Sequence, residues 1–213
     1  MRPAEKMQTQ HRQADGVAKF GGWLFRQRTW LPLPIVAVLL SIPSTAPSLV
    51  VLAAGVTTVA AGEALRLWAV QHIGVISRTR SDRLGPLVRT GPFGLVRNPL
   101  YVGNLLLWIG FAISAGMLWF VPVIALVLGA EYHAIVRWEE GLLEERLGDS
   151  YRTYKAEVGR WLPKKGRQSS VASLQSEASV SSPFSWGETL FSERGTLIAI
   201  AVGYGLLALK FRM

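Results

Sequence analysis

The sequence predicts an all-α, multi-pass transmembrane protein built from two helical hairpins, and three observations carry that expectation. Half of the 213 residues are hydrophobic, and they collect in long uncharged runs instead of spreading evenly. The charges collect in the gaps, whereas a soluble domain wets the outer face of every helix with charge. The formal net charge is +9, and Arg supplies most of it from segments that flank the apolar runs. A basic balance laid out in this way reads as membrane topology and not as a nucleic-acid surface.

Taken in order, residues 1–28 form a polar, basic tail, and the first twenty lack the apolar core of a cleavable leader. Residues 29–62 carry no charge. That run is too long for one crossing of about 20 residues. Its centre, Pro43-Ser44-Thr45-Ala46-Pro47, is turn chemistry. A helix over about 29–42, its start blurred by Pro32 and Pro34, and a second over about 47–70 therefore form the first hairpin. Residues 71–97 are a glycine-punctuated basic loop bearing Arg78, Arg80, Arg83, Arg89 and Arg97.

Charge vanishes again over 98–130, with Ser114-Ala115-Gly116 near the middle. The second hairpin has arms of about 99–113 and 117–136, short enough to need local bilayer thinning. Residues 137–166 are charged and helix-favouring, with Leu142, Leu143 and Leu147 as an apolar stripe, as in a helix lying on a membrane surface. Residues 164–194 are a Ser-rich linker. The segment 195–213 is a fifth crossing or an interfacial anchor. The membrane domain proper spans 29–163.

The hairpin tips at 43–47 and 114–116 carry no Lys or Arg, while the three basic segments lie at the opposite ends of the helices. The positive-inside rule puts those segments in the cytosol. Only Lys210 and Arg212 fall outside if the last segment crosses.

Chemistry has few places to reside. There is no Cys and there are three His, so no thiolate zinc site and no transition-metal cluster is expected. The first dense constellation runs from Arg89 to Gly103. Asn98 and Pro99 suit the N-cap and first position of a helix. The same helix start also presents backbone N–H groups and a positive dipole end. With Arg97 beside it, and Gly91 and Gly94 allowing close approach, it suits a small carboxylate or phosphate. Phe93 and Tyr101 offer ring faces to a cation.

The second constellation is Arg137-Trp138-Glu139-Glu140. It reads either as a solvated helix face or as two carboxylates that need partners at the end of a membrane helix. His133, Arg137 and Glu140 share a face by three-and-four spacing, and Glu139 points toward Ile135 and Leu143. Glu63 and Arg66 read as a structural ion pair or as snorkelling side chains.

At these two constellations the sequence resembles the isoprenylcysteine carboxyl methyltransferase family and its phospholipid methyltransferase relatives, which are integral membrane enzymes. Their pattern Gly-x-Tyr-x-x-x-Arg-His-Pro-x-Tyr-x-Gly reads here Gly91-Pro92-Phe93-Gly94-Leu95-Val96-Arg97-Asn98-Pro99-Leu100-Tyr101-Val102-Gly103. Two helices later come Glu139-Glu140, then Gly148-Asp149-Ser150-Tyr151-Arg152-Thr153-Tyr154 and Trp161-Leu162-Pro163. Order and spacing match over about 65–163.

The resemblance implies an S-adenosylmethionine enzyme with a cofactor pocket at the cytosolic face. Cofactor contacts would fall on Pro86, Leu87, Val88, Phe93, Asn98, Pro99, Leu100, Tyr101 and Glu139. Arg97 and Glu140 would be the catalytic pair, with Arg97 on the cofactor carboxylate and Glu140 orienting the acceptor or pairing with Arg97. The chain departs from the pattern twice. Phe93 lacks a hydroxyl, and Asn98 stands where His is common; Asn still hydrogen-bonds but is no base near neutral pH.

The implied partner, besides the bilayer, is a lipid or a lipidated small molecule or peptide. Prenylcysteine carboxylate, phospholipid amine, a small thiol and a quinone-like lipid all stay open as acceptors. Two other readings stand beside this one. A membrane reductase of the sterol type needs a nicotinamide pocket, and no Gly-x-Gly-x-x-Gly follows a strand. A non-enzymatic scaffold or transporter subunit tolerates substitution of Arg97 and Glu139.

Overall fold

The computed structural model describes Gly16 and residues 19–73, 87–164 and 185–212. Among these the chain is helical throughout, with no strand and a single isolated parallel bridge between Val96 and Gly159. The helices are α1 (19–27), α2 (Leu33–Ser41), α3 (Leu49–Ile73), α4 (Pro92–Leu95), α5 (Pro99–Ser114), α6 (Phe120–Leu147), α7 (Asp149–Glu157) and α8 (Trp186–Lys210).

Helices α3, α6 and α8 are long and apolar enough to cross a membrane, and α5 is a shorter apolar helix. Nine residues of α2 rise only about 14 Å at 1.5 Å per residue, less than half of a typical hydrocarbon core. The tips of the two expected hairpins meet. Ser44 Oγ donates to Ala115 O at 2.9 Å. Among the described residues, Arg89, Arg97, Arg152 and Arg160 lie at the other end of the bundle.

Glycine sets the spacing of α3 and α5. Gly62 lies against Gly103, and Gly55 against Gly110. A Cβ added to any of the four stands 2.8 Å from a carbonyl oxygen of its partner. Lipid tails are as apolar as Leu, so membrane helices associate where small residues let backbones approach. Ile124, Leu128 and Ile135 of α6 then fill the core with Ala112, Ala115 and Met117.

Three boundaries differ from the sequence expectation. Residues 19–27, read as basic tail, are helical, with Gly21, Gly22 and Leu24 buried. The two glycines let α1 lie directly on Ala134 and Trp138 of α6. The surface helix expected from residue 137 is instead the continuation of α6. The chain first breaks at Gly148, where φ is +53°. Finally, α8 begins at Trp186, inside the expected linker, because Ser185 and Glu188 form a capping box: Glu188 N donates to Ser185 Oγ, and Ser185 N donates to the Glu188 carboxylate.

Helix α8 runs the full depth of the bundle. Glu193 meets Arg66 of α3 at 2.5 Å, Tyr204 meets Ser114 at 3.1 Å, and Lys210 Nζ donates to Leu39 O at 2.7 Å. Lys210 thereby satisfies one of the last carbonyls of α2, which have no partner within their own helix. This gives the cationic end of α8 a place beside the uncharged tips.

Candidate active site

The site is built where α4 turns into α5. Gly91 has φ +58°, a conformation L side chains rarely adopt, and a Cβ there would collide with the His72 ring. After α4 the backbone extends and is pinned from below: Arg97 N donates to Gly159 O at 2.8 Å. Asn98 occupies the N-cap position of α5, but its side chain does not cap the helix. Its Nδ2 donates instead to Arg160 O at 3.3 Å. The first-turn N–H groups of α5 are therefore left uncapped by the side chain best suited to cap them.

Arg97 reaches sideways and Glu140 receives it. Arg97 Nε and Nη2 donate to Glu140 Oε1 at 3.0 and 2.9 Å, and Nη1 donates to Lys155 O at 2.9 Å and Val158 O at 2.8 Å. Arg160 completes the arrangement, with Nε to Oε1 at 3.1 Å and Nη2 to Oε2 at 2.7 Å. Glu140 is 4 % exposed and accepts all four charge-assisted bonds, which is what a carboxylate needs to persist out of water. The same bonds hold the Arg160 guanidinium charged, above even its usual range. Arg137, expected on the face of Glu140, is exposed, so the partners of Glu140 come from other elements.

Tyr154 donates its hydroxyl to Phe93 O at 2.7 Å, which seats α7 under α4. Burial pushes the phenols of Tyr151 and Tyr154 well above their ordinary range, so both remain neutral donors. Leu87 packs against these rings, Val88 is half-buried in the segment leading to α4, and Phe93 and Pro99 are buried. Leu100 is half-buried. Pro86 lies outside the described residues.

Glu139 sits beside this clamp with a different partner. Tyr101 Oη donates to Glu139 Oε2 at 3.0 Å, and the Tyr101 ring tilts against Tyr132 at 5.1 Å between centroids. Beside Tyr101 opens a cavity of about 300 Å³ whose polar lining includes Arg28, Arg66, Asn104 and Tyr132, with Trp108 along one side. The structure thus joins Arg97 to Glu140 and Tyr101 to Glu139, and brings all four with Asn98 to one end of the bundle.

Sequence reasoning missed Arg160, Arg28 and the cavity. One signal was readable: Tyr101, Asn104 and Trp108 follow three-and-four spacing along α5. Among the described residues no group of three His, Asp or Glu side chains is placed to hold a metal ion.

Residues 50–150 match the family described as phospholipid methyltransferase. This part of the chain belongs to the phospholipid methyltransferase family. The matched stretch holds α3 to α6, both constellations and Glu139-Glu140. An uncharacterized protein of Haemophilus influenzae is 40 % identical over 63 residues, 30 % of this chain and 79 % of that protein. The nickel-cobalt-cadmium resistance protein NccN of Alcaligenes xylosoxydans xylosoxydans is 33 % identical over 89 residues, 42 % of this chain and 38 % of that protein. The cobalt-zinc-cadmium resistance protein CzcN of Cupriavidus metallidurans is 35 % identical over 78 residues, 37 % of this chain and 33 % of that protein. The chain therefore spans only 33 to 38 % of the length of these two metal-resistance relatives. No solved structure matches it.

Proposed function

We propose that the chain transfers a methyl group from S-adenosylmethionine to a lipophilic acceptor at the cytosolic face of the membrane. The observation that carries this reading is the Tyr101–Glu139 pair beside the uncapped start of α5, with Tyr101 itself at the wall of a cavity. The residues suit that cofactor group by group. A carboxylate such as Glu139 suits an ammonium or ribose hydroxyls, the ring of Tyr101 suits a sulfonium, and free helix N–H groups suit a carboxylate. A cavity of about 300 Å³ lies at the lower end of the range for small-molecule sites.

When bound, S-adenosylmethionine supplies an electrophilic methyl on a good leaving group, so the protein needs alignment and dryness more than an acid or base. Correct orientation alone is worth about 7–11 kcal/mol of barrier. The Arg97–Glu140–Arg160 clamp serves here as positioning machinery: with its donors committed, it fixes the backbone of residues 96–99 against 158–160. Tyr101 orients the Glu139 carboxylate, and Phe93 and Pro99 exclude water. Leu87, Val88, Asn98 and Leu100 complete the proposed cofactor contacts. Arg89, Arg97, Arg152 and Arg160 at this end of the bundle, and the Lys- and Arg-free tips at the other, support the cytosolic orientation.

Calorimetry with S-adenosylhomocysteine on the purified protein tests the reading. The wild type binds, and Glu139→Ala weakens binding by about ten- to a hundredfold, the scale of a charge-assisted hydrogen bond. Unchanged affinity in that variant refutes the role given to Glu139.

A further inference from the structure

Helix α8 lies wholly outside the matched residues 50–150, yet it holds Arg66, a residue of the cavity wall. Arg66, at the cavity wall, is 7 % exposed, and α8 holds it from one side: Nη2 donates to Glu193 at 2.5 Å and to Thr196 Oγ1 at 3.0 Å. Glu193 is 0 % exposed. From the other side Arg66 Nη1 donates to Asn104 Oδ1 of α5. That bond fixes the amide of Asn104. With Oδ1 committed, what Asn104 offers the cavity is its Nδ2 hydrogens.

The cavity is thus lined by donors: the Asn104 amide, the Arg28 guanidinium, the Tyr132 hydroxyl and what remains of Arg66. The charge of Arg66 is met by Glu193 and by Glu63, 3.4 Å away. Arg28 instead lies over the Phe25 ring at 4.0 Å, and the carboxylate whose charge it faces is Glu139. The nearby carboxylate of Glu139 is taken by Tyr101 and does not line the cavity.

We propose that α8 is a working part of the site: Glu193 positions Arg66 and, through it, Asn104, so that the cavity receives an oxygen acid, carboxylate or phosphate, on the acceptor. This rests on the methyltransferase reading and narrows its acceptor class to amphiphiles that present an oxyanion to the donors.

The test uses the full chain in a nonionic detergent and four probes of equal chain length, dodecanoate, dodecyl phosphate, dodecanol and dodecylamine, titrated by calorimetry. The wild type prefers at least one of the two oxyanions to dodecanol and dodecylamine by about tenfold or more, and which one it prefers tells the carboxylate from the phosphate. Glu193→Gln removes that preference. Tyr204→Phe, which loosens α8 at its far end, keeps it. Asn104→Asp, which leaves Glu193 and Arg66 in place but turns the amide into an acceptor, also removes it, and serves if Glu193→Gln does not fold. Equal affinity for all four probes, an oxyanion preference surviving Asn104→Asp, or equal loss in Glu193→Gln and Tyr204→Phe overturns the proposal. S-adenosylhomocysteine titrated into the wild type reads the methyltransferase assignment separately: its failure to bind beside an intact oxyanion preference removes that assignment and leaves the pocket.

Discussion

At Glu140 two guanidinium groups converge on one carboxylate, and the backbone carbonyls of Lys155 and Val158 take the remaining reach of Arg97. Such a group is worth most when one member is removed, because buried charges are then left facing nothing. Glu140→Ala is expected to destabilise the protein by about 3–5 kcal/mol, the cost of breaking a buried pair. Glu144 provides the contrast. It also meets two cations, Arg152 and Lys155, but all three side chains are a third or more exposed to water. Glu144→Ala is expected to cost no more than about 1 kcal/mol. Thermal unfolding of the two variants in the same detergent, followed by circular dichroism, checks the difference in order. The residues of this site were partly readable in the sequence. Glu139 and Glu140 stood out as adjacent carboxylates at a membrane helix end, and Arg97 as their candidate partner. Arg160 did not, because its contact with Glu140 spans 20 residues and a chain reversal that no local spacing encodes.

At the scale of elements, the tight pairing of α3 with α5 rests on four glycines spaced by seven: Gly55 and Gly62 on one helix, Gly103 and Gly110 on the other. Gly103→Val inserts a branched side chain against the Gly62 carbonyl and the Arg66 stem, and is expected to cost about 1–3 kcal/mol by overpacking. Gly129→Ala, on α6 with open space around it, is expected to be neutral or to stabilise by up to about 1 kcal/mol. Opposite signs from the two, in one unfolding assay, check that the glycines act through helix approach. The hairpins themselves were legible because charge-free runs and turn residues are local signals. The end of α6 was not. Arg137 to Leu147 changes in polarity without any residue that stops a helix, and polarity says where water is, not where the backbone turns. The start of α8 was legible in Ser185 and Glu188, but the carboxylate of Glu193 hid it, since its compensation by Arg66 lies 127 residues away.

At the scale of the molecule, the uncharged tips 43–47 and 115–117 gather at one end and the clamp at the other, with α8 crossing between them. The chain contains no Cys, so single cysteines report cleanly on sidedness. In sealed right-side-out vesicles, Thr45→Cys is expected to react with an impermeant maleimide, and Thr153→Cys only after the membrane is opened. The reverse pattern reverses the orientation. The clamp also has a consequence for synthesis. Arg97 finds its partners 43 to 61 residues downstream, and Glu140 waits a further 20 for Arg160. A growing chain that ends at residue 150 carries Arg97 and Glu140 but not Lys155, Val158 or Arg160, and its clamp is unfinished. The clamp closes late, when the backbone beyond α7 folds back and Arg160 reaches Glu140.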